Sequence, residues 1–349
     1  MKKFLLYTLF SIALLTGGCT DEPDYNNTMY GNFDALAEII DTRYCFFGEK
    51  DIDWPQIVRE YRSRLNGEMT ILDYFNLCAE MLNELEDGHV NLSSDFSTSY
   101  YRKWWSDYPQ DFNLRTLQEY YLEYDYYQTS GISYKVLEGN VGYMYYPSFS
   151  AGIGQLNLDY ILAILQDTDA LILDIRDNGG GMLSNIDVLV GRFIDHATSG
   201  GYMRHKTGPG HDDFSEPYHV IYEPADPGRI RWDVKKPVYL LTNRSCFSAA
   251  NDFVAVMKTL PNVTVVGART GGGGGMPFTF ELPIGWAVRF SASPMYAPDG
   301  SEIESGIDPT EGYERHCTAE ELASGRDAIL DFALELARGD DSGSEGEKE

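Results

Sequence analysis

The run Ala170-Leu171-Ile172-Leu173-Asp174-Ile175 constrains this chain most, because it is apolar at every position but one. A half-exposed strand alternates apolar and polar side chains, so a strand this apolar has to be covered on both faces. A glycine-rich turn, Asn178-Gly179-Gly180-Gly181, follows it, and 183–194 then reads as a helix. The order recurs along the chain. Residues 141–146 read as a strand and 153–165 as a helix; 237–241 is another buried strand, 247–260 a helix, and 263–266 a strand again. Buried strands alternating with helices predict a layered α/β core, expected over 137–338. Within it, 278–282 and 286–290 predict a hairpin around Pro283-Ile284-Gly285.

Upstream, three helical stripes stand in 31–86: Phe33, Leu36, Ile39 and Ile40, then Trp54, Ile57, Val58, Tyr61 and Leu65, then a third from Ile71 to Leu85. They predict a small N-terminal helical unit over 31–92. Residues 93–136 are rich in Tyr and Trp and read as a connector, packed or exposed as a binding face, packing being the commoner fate of such clusters. The stretch 197–216 reads as a long loop. The charged tail over 339–349 is expected to be disordered.

The chain opens with Lys2, Lys3 and a short apolar run, and Thr16-Gly17-Gly18 precede Cys19. The run is too short to span a bilayer comfortably, and the whole resembles a bacterial lipoprotein signal over 1–18 with Cys19 as the lipidated residue. Residues 19–30 then form a flexible tether. This predicts a lipid-anchored protein of the cell envelope, at the outer membrane, facing the periplasm or the surface. The formal charge of -27 repels phosphate backbones and argues against a nucleic-acid partner. Cys45, Cys78, Cys246 and Cys317 match no zinc spacing and include no CxxC; Cys45 and Cys78 fall in helical patterns as apolar fillers. No dinucleotide or P-loop fingerprint is present, so neither metal nor cofactor is called for.

Two strand-to-helix junctions carry the chemistry. At the first, the glycine turn lets backbone N–H groups face outward, where they can hold negative charge developing on an oxygen. At the second, Ser245-Cys246-Phe247-Ser248-Ala249-Ala250 places Ser248 near the start of a helix. A serine there is most often an N-cap, but on a rigid element at the positive end of a helix it is also well placed as a nucleophile. Gly180 and Ala249 are the candidate donors of an oxyanion hole.

Leu85-Glu86-Asp87-Gly88-His89-Val90, Val141-Gly142-Tyr143 with Phe149, Leu173-Asp174-Ile175-Arg176 with Asn178-Gly179-Gly180, Ser248-Ala249-Ala250, Val266-Gly267 with Thr270, and Gly306-Ile307-Asp308-Pro309 occur in this order. In that ordered set the chain resembles the tail-specific (C-terminal-processing) serine proteases over roughly residues 50–315. The resemblance implies a crotonase-like ββα core and Ser248 as the catalytic serine, acting on exported or extracellular polypeptides through an acyl-enzyme. Members with a Ser/Lys dyad carry a lysine shortly after the threonine matched by Thr270; here Gly271 to Gly275 follow, so that dyad is excluded. The tricorn-like branch uses a histidine from the N-terminal part, which His89 matches, and a glutamate to orient it, which Glu304 matches. A histidine suits the role because its pKa lies near neutrality. The family often carries a PDZ module, for which 93–136 is too short. The competing reading is a non-catalytic surface lipoprotein that binds a glycan or an apolar ligand on the same fold.

Overall fold

The computed structural model describes residues 25–339. The signal, Cys19 and the tail beyond Gly339 lie outside the described residues. The strands are β1 (Asn91–Ser93), β2 (Tyr127–Thr129), β3 (Ile132–Leu137), β4 (Val141–Tyr145), β5 (Ala170–Asp174), β6 (Thr198–Met203), β7 (Tyr218–Tyr222), β8 (Val238–Thr242), β9 (Val263–Gly267), β10 (Gly275–Glu281) and β11 (Ala287–Tyr296). The principal helices are α1 (Met29–Arg43), α2 (Trp54–Arg64), α3 (Ile71–Asn83), α4 (Gln155–Leu165), α5 (Ser184–Val190), α6 (Ala249–Met257), α7 (Ala319–Ala323) and α8 (Ala328–Arg338). The fold is mixed α/β.

A six-stranded sheet runs in the order β2-β3-β4-β5-β8-β9. Its β4, β5, β8 and β9 are parallel, and β2 and β3 add antiparallel at one edge. The apolar run at β5 explains its place in the middle. Leu171 and Leu173 face one layer with Ile161 and Leu162 of α4, Ile186 of α5 and Phe253 of α6. Ile172 faces the other, with Ile329, Leu330 and Ala333 of α8. Each such fully buried aliphatic side chain stabilises the fold by about 1.5–3 kcal/mol. Asp327 caps α8 by accepting the Leu330 N–H, and Gly339 closes its far end in the left-handed region at φ 73.

The second sheet runs β1-β11-β6-β7, with β10 paired to β11. Its hairpin departs from the sequence reading, which grouped it with the α/β core. Leu282, Trp286, Val288 and Phe290 instead share a hydrophobic cluster with Phe33, Leu36, Tyr74 and Leu82 of α1 and α3. Strand β1 pairs antiparallel with β11, Asn91 opposite Arg289. The N-terminal unit is thus sewn to the rest by a shared sheet and a shared core.

Two further differences have local causes. The stretch read as a connector supplies β2 and β3, and the stretch read as a loop supplies β6. Glycines hide β6 from the eye: a Cβ at Gly200 would stand 2.3 Å from the Tyr222 ring, and one at Gly201, at φ +100, would stand 2.1 Å from the Tyr296 carbonyl oxygen. Glycine ordinarily weakens a strand, but close approach of the neighbouring strands is here the reason for it. The tether read over 19–30 runs two residues too far, since α1 begins at Met29 with Thr28 as its cap.

Candidate active site

Ser248 stands between β8 and α6 with φ 57 and ψ -124, a conformation that strains any residue with a side chain. Its N–H donates to the Gly272 carbonyl at 2.8 Å. The side chain makes no cap hydrogen bond to α6. Its Oγ lies instead 3.0 Å from His89 Nε2, a residue 159 positions away in the chain. The glycine turn after β5 closes against this serine. A Cβ on Gly180, at φ +88, would fall 2.9 Å from Ser248 Cβ and 2.5 Å from the Phe247 carbonyl oxygen, so only glycine fits.

His89 follows the Asp87-Gly88 turn and leads into β1. Its own N–H donates to Asp87 Oδ1 at 2.7 Å, which fixes the backbone. The ring is 3% exposed and packs on Phe247, with centroids 4.7 Å apart. On its far side Nδ1 lies 3.3 Å from Ser291 Oγ and 4.0 Å from Asp87 Oδ1, the second too long for a hydrogen bond. Burial pulls the His89 pKa down to about 4, with Asp87 opposing and Arg289 and Lys50 reinforcing it. The imidazole is therefore neutral at neutral pH. With the proton on Nδ1 and directed at Ser291, Nε2 is left to accept the Ser248 hydroxyl proton.

The structure brings together Ser248 and His89, the two residues that the sequence reading pairs. Glu304 is not brought to His89. Its carboxylate pairs with Lys50 Nζ at 3.0 Å and accepts the Gly274 N–H at 2.9 Å, and no contact joins it to His89. Lys50 is anchored there by the Leu85 and Glu86 carbonyls and holds the glutamate to itself. Burial, then Asp87, push the Glu304 carboxyl upward, and Lys50 pulls it back. The oxyanion donors need correction as well. The Gly180 N–H is already given to Asn178 Oδ1 at 3.0 Å, whereas the Ala249 N–H has no acceptor among the described residues.

Ser291 and Arg289 escaped the sequence reading, although the signal was there. Val288 and Phe290 alternate along β11, in step with Trp286 just before it, so 289 and 291 belong to the opposite face. That face is the one turned to His89. Trp104, from the aromatic stretch, stacks on Phe247 with centroids 4.1 Å apart and walls the cavity over Ser248. The four cysteines among the described residues are free and buried.

A serine without its cap at a strained turn, facing a buried histidine, is an arrangement that suits a nucleophile. The profile of peptidase family S41 matches residues 140–312, and that of the tricorn protease C1 domain matches residues 26–83. The chain is similar to a candidate peptidase from Parabacteroides merdae ATCC 43184, 43% identical, whose crystal structure superposes with a TM-score of 0.84 over 91% of this chain and 100% of that one. It is 26% identical over 174 residues to a Staphylococcus epidermidis protein named as a CtpA-like serine protease, a match covering 49% of this chain and 33% of the relative. The chain thus matches only about a third of that relative's length. Mature CPAF shares the fold, with a TM-score of 0.66 at 13% identity over 90% of this chain and 98% of that one. The chain belongs to peptidase family S41.

Proposed function

We propose that the protein is a serine peptidase that hydrolyses peptide bonds of exported or extracellular polypeptides, in the Ser/His manner of the tricorn-like branch and on a crotonase-like ββα core. The observation that carries this reading is the 3.0 Å approach of His89 Nε2 to Ser248 Oγ, brought together from positions 159 residues apart. Ser248 Oγ bonds to the substrate carbonyl carbon as its proton passes to His89 Nε2. The Ala249 N–H meets the oxyanion. The imidazolium then gives its proton to the leaving nitrogen as the C–N bond breaks, and water releases the acyl group by the same route in reverse. Ser291 holds the ring through Nδ1, and the Asp87 carboxylate favours the transient cation.

Labelling with a fluorophosphonate probe tests the reading: wild type should react at one serine, and Ser248→Ala should not. A wild type inert to the probe and to peptides would favour a binding module on the same fold.

The pH profile follows from the burial of His89. The base works only when neutral, so activity is present above its pKa in the folded protein and lost as pH falls through that value. The acid limb of kcat/KM should lie near about pH 4 rather than near 6.5, where an ordinary histidine titrates. A limb at 6 to 7 on substrates without titrating groups would show that His89 is not the buried base.

Anchoring through Cys19 belongs to the same reading. No helix among the described residues is long and apolar enough to cross a membrane. An acyl chain contributes about 0.8 kcal/mol per buried CH₂, and more than one chain holds a protein firmly. Cys19→Ser should move the protein from the membrane to the soluble fraction with its peptidase activity intact. A variant still membrane-bound after alkaline washing would point to an uncleaved N-terminal segment.

A further inference from the structure

Two cavities meet at Ser248. One, of about 470 Å³, is walled by His89, Trp104 and the glycine turn; the other, of about 390 Å³, by Met182, Met276, Met295 and Ile303. Arg289 lines both. It reaches them from β11, whose alternation sends Val288 and Phe290 into the N-terminal core and Ser291 to His89. Among the described residues Arg289 has no side-chain hydrogen bond and no ion pair; Asp87 acts on it only from beyond ion-pair distance, while burial lowers its pKa.

The charge of the first cavity is the second observation. The chain carries 54 acidic and 27 basic residues, yet Arg102 and Arg289 line this cavity and no Asp or Glu does. A half-desolvated guanidinium without a partner is costly to keep, and its planar fork of donors matches a carboxylate. Elsewhere the acidic surface repels such a group, so a local cation is what would admit one.

We infer that Arg289 binds a carboxylate of the polypeptide substrate beside the scissile bond and thereby selects which peptides are cut. The inference rests on the peptidase reading and names its substrate class. The carboxylate is either a substrate's own C-terminus or an Asp or Glu side chain near the cut.

Matched fluorogenic peptides separate the two sources: free acid against C-terminal amide, and Glu against Gln at each position flanking the cleaved bond. In wild type, one of these pairs should differ by about tenfold or more in kcat/KM, the carboxylate form being preferred. Arg289→Gln should bring that ratio close to one. Arg289→Lys, which keeps the charge without the fork, should leave an intermediate ratio, and decides the matter if Arg289→Gln does not fold. The inference is overturned by a wild type that labels and cleaves with no carboxylate preference, or by a preference that survives both substitutions. A wild type that neither labels nor cleaves overturns the peptidase reading and this inference with it.

Discussion

Ser248→Ala and His89→Ala should each lower kcat by about four to six orders of magnitude, and the double variant should lose little more. The two side chains act as one unit: without the imidazole the Ser248 hydroxyl keeps its proton, and without the hydroxyl the imidazole has nothing to activate. Peptide hydrolysis with purified single and double variants measures this directly. Additive losses would mean that the 3.0 Å contact between them has no part in the rate. Glu304→Gln makes the informative contrast. Its carboxylate holds Lys50 and the Gly274 N–H rather than His89, so its loss should cost far less than that of either partner. Ser291→Ala should fall between, because it removes the acceptor of Nδ1–H without touching Nε2. A Glu304→Gln variant as dead as His89→Ala would restore the glutamate to the orienting role that the sequence suggested for it.

That contrast marks where the sequence stopped being readable. The strand at β5 was legible because both of its neighbouring layers write themselves into one short run. Ser248 and His89 were legible because each sits in a local motif at the end of an element. The partner of Glu304 was not, since it depends on Lys50, which lies in the turn after α1 and is fixed by two backbone carbonyls. Nor could composition show that Asn178 folds its own side chain back to take the Gly180 N–H two residues on. Such local side-chain to backbone bonds compete with any role given to a free N–H. The hairpin was found, but not its allegiance: the apolar face of β11 fits either core, and only the pairing of β1 with it decides. That pairing is also what brings His89 to Ser248, so the site's assembly is a tertiary fact although its members are local ones.

Arg176 carries the largest effect on stability. It is 0% exposed and follows the run that β5 begins, two residues before the glycine turn opens at Asn178. Its guanidinium donates to Asp174 Oδ2 at 2.6 Å and to Asp327 Oδ1 at 2.8 Å, joining the end of β5 to the cap of α8. Tyr143 also donates its hydroxyl to Asp174 Oδ2, at 2.8 Å. A buried ion pair of this kind stabilises little over an apolar substitute, but removing one member strands the charges left behind. Arg176→Met should therefore cost about 3–5 kcal/mol in urea unfolding. Neutralising the stranded carboxylates should recover much of the loss. Asparagine suits both places, since it still accepts from Tyr143 at 174 and caps α8 at 327 about as well as aspartate does. The triple variant Arg176→Met, Asp174→Asn, Asp327→Asn should thus be more stable than Arg176→Met alone. Because this network fixes the strand end from which the glycine turn departs, the single variant should also cleave peptides more slowly at temperatures where it remains folded. A loss below about 1 kcal/mol, the range of an exposed pair, would show that water reaches Arg176 and that the strand end is held by packing alone.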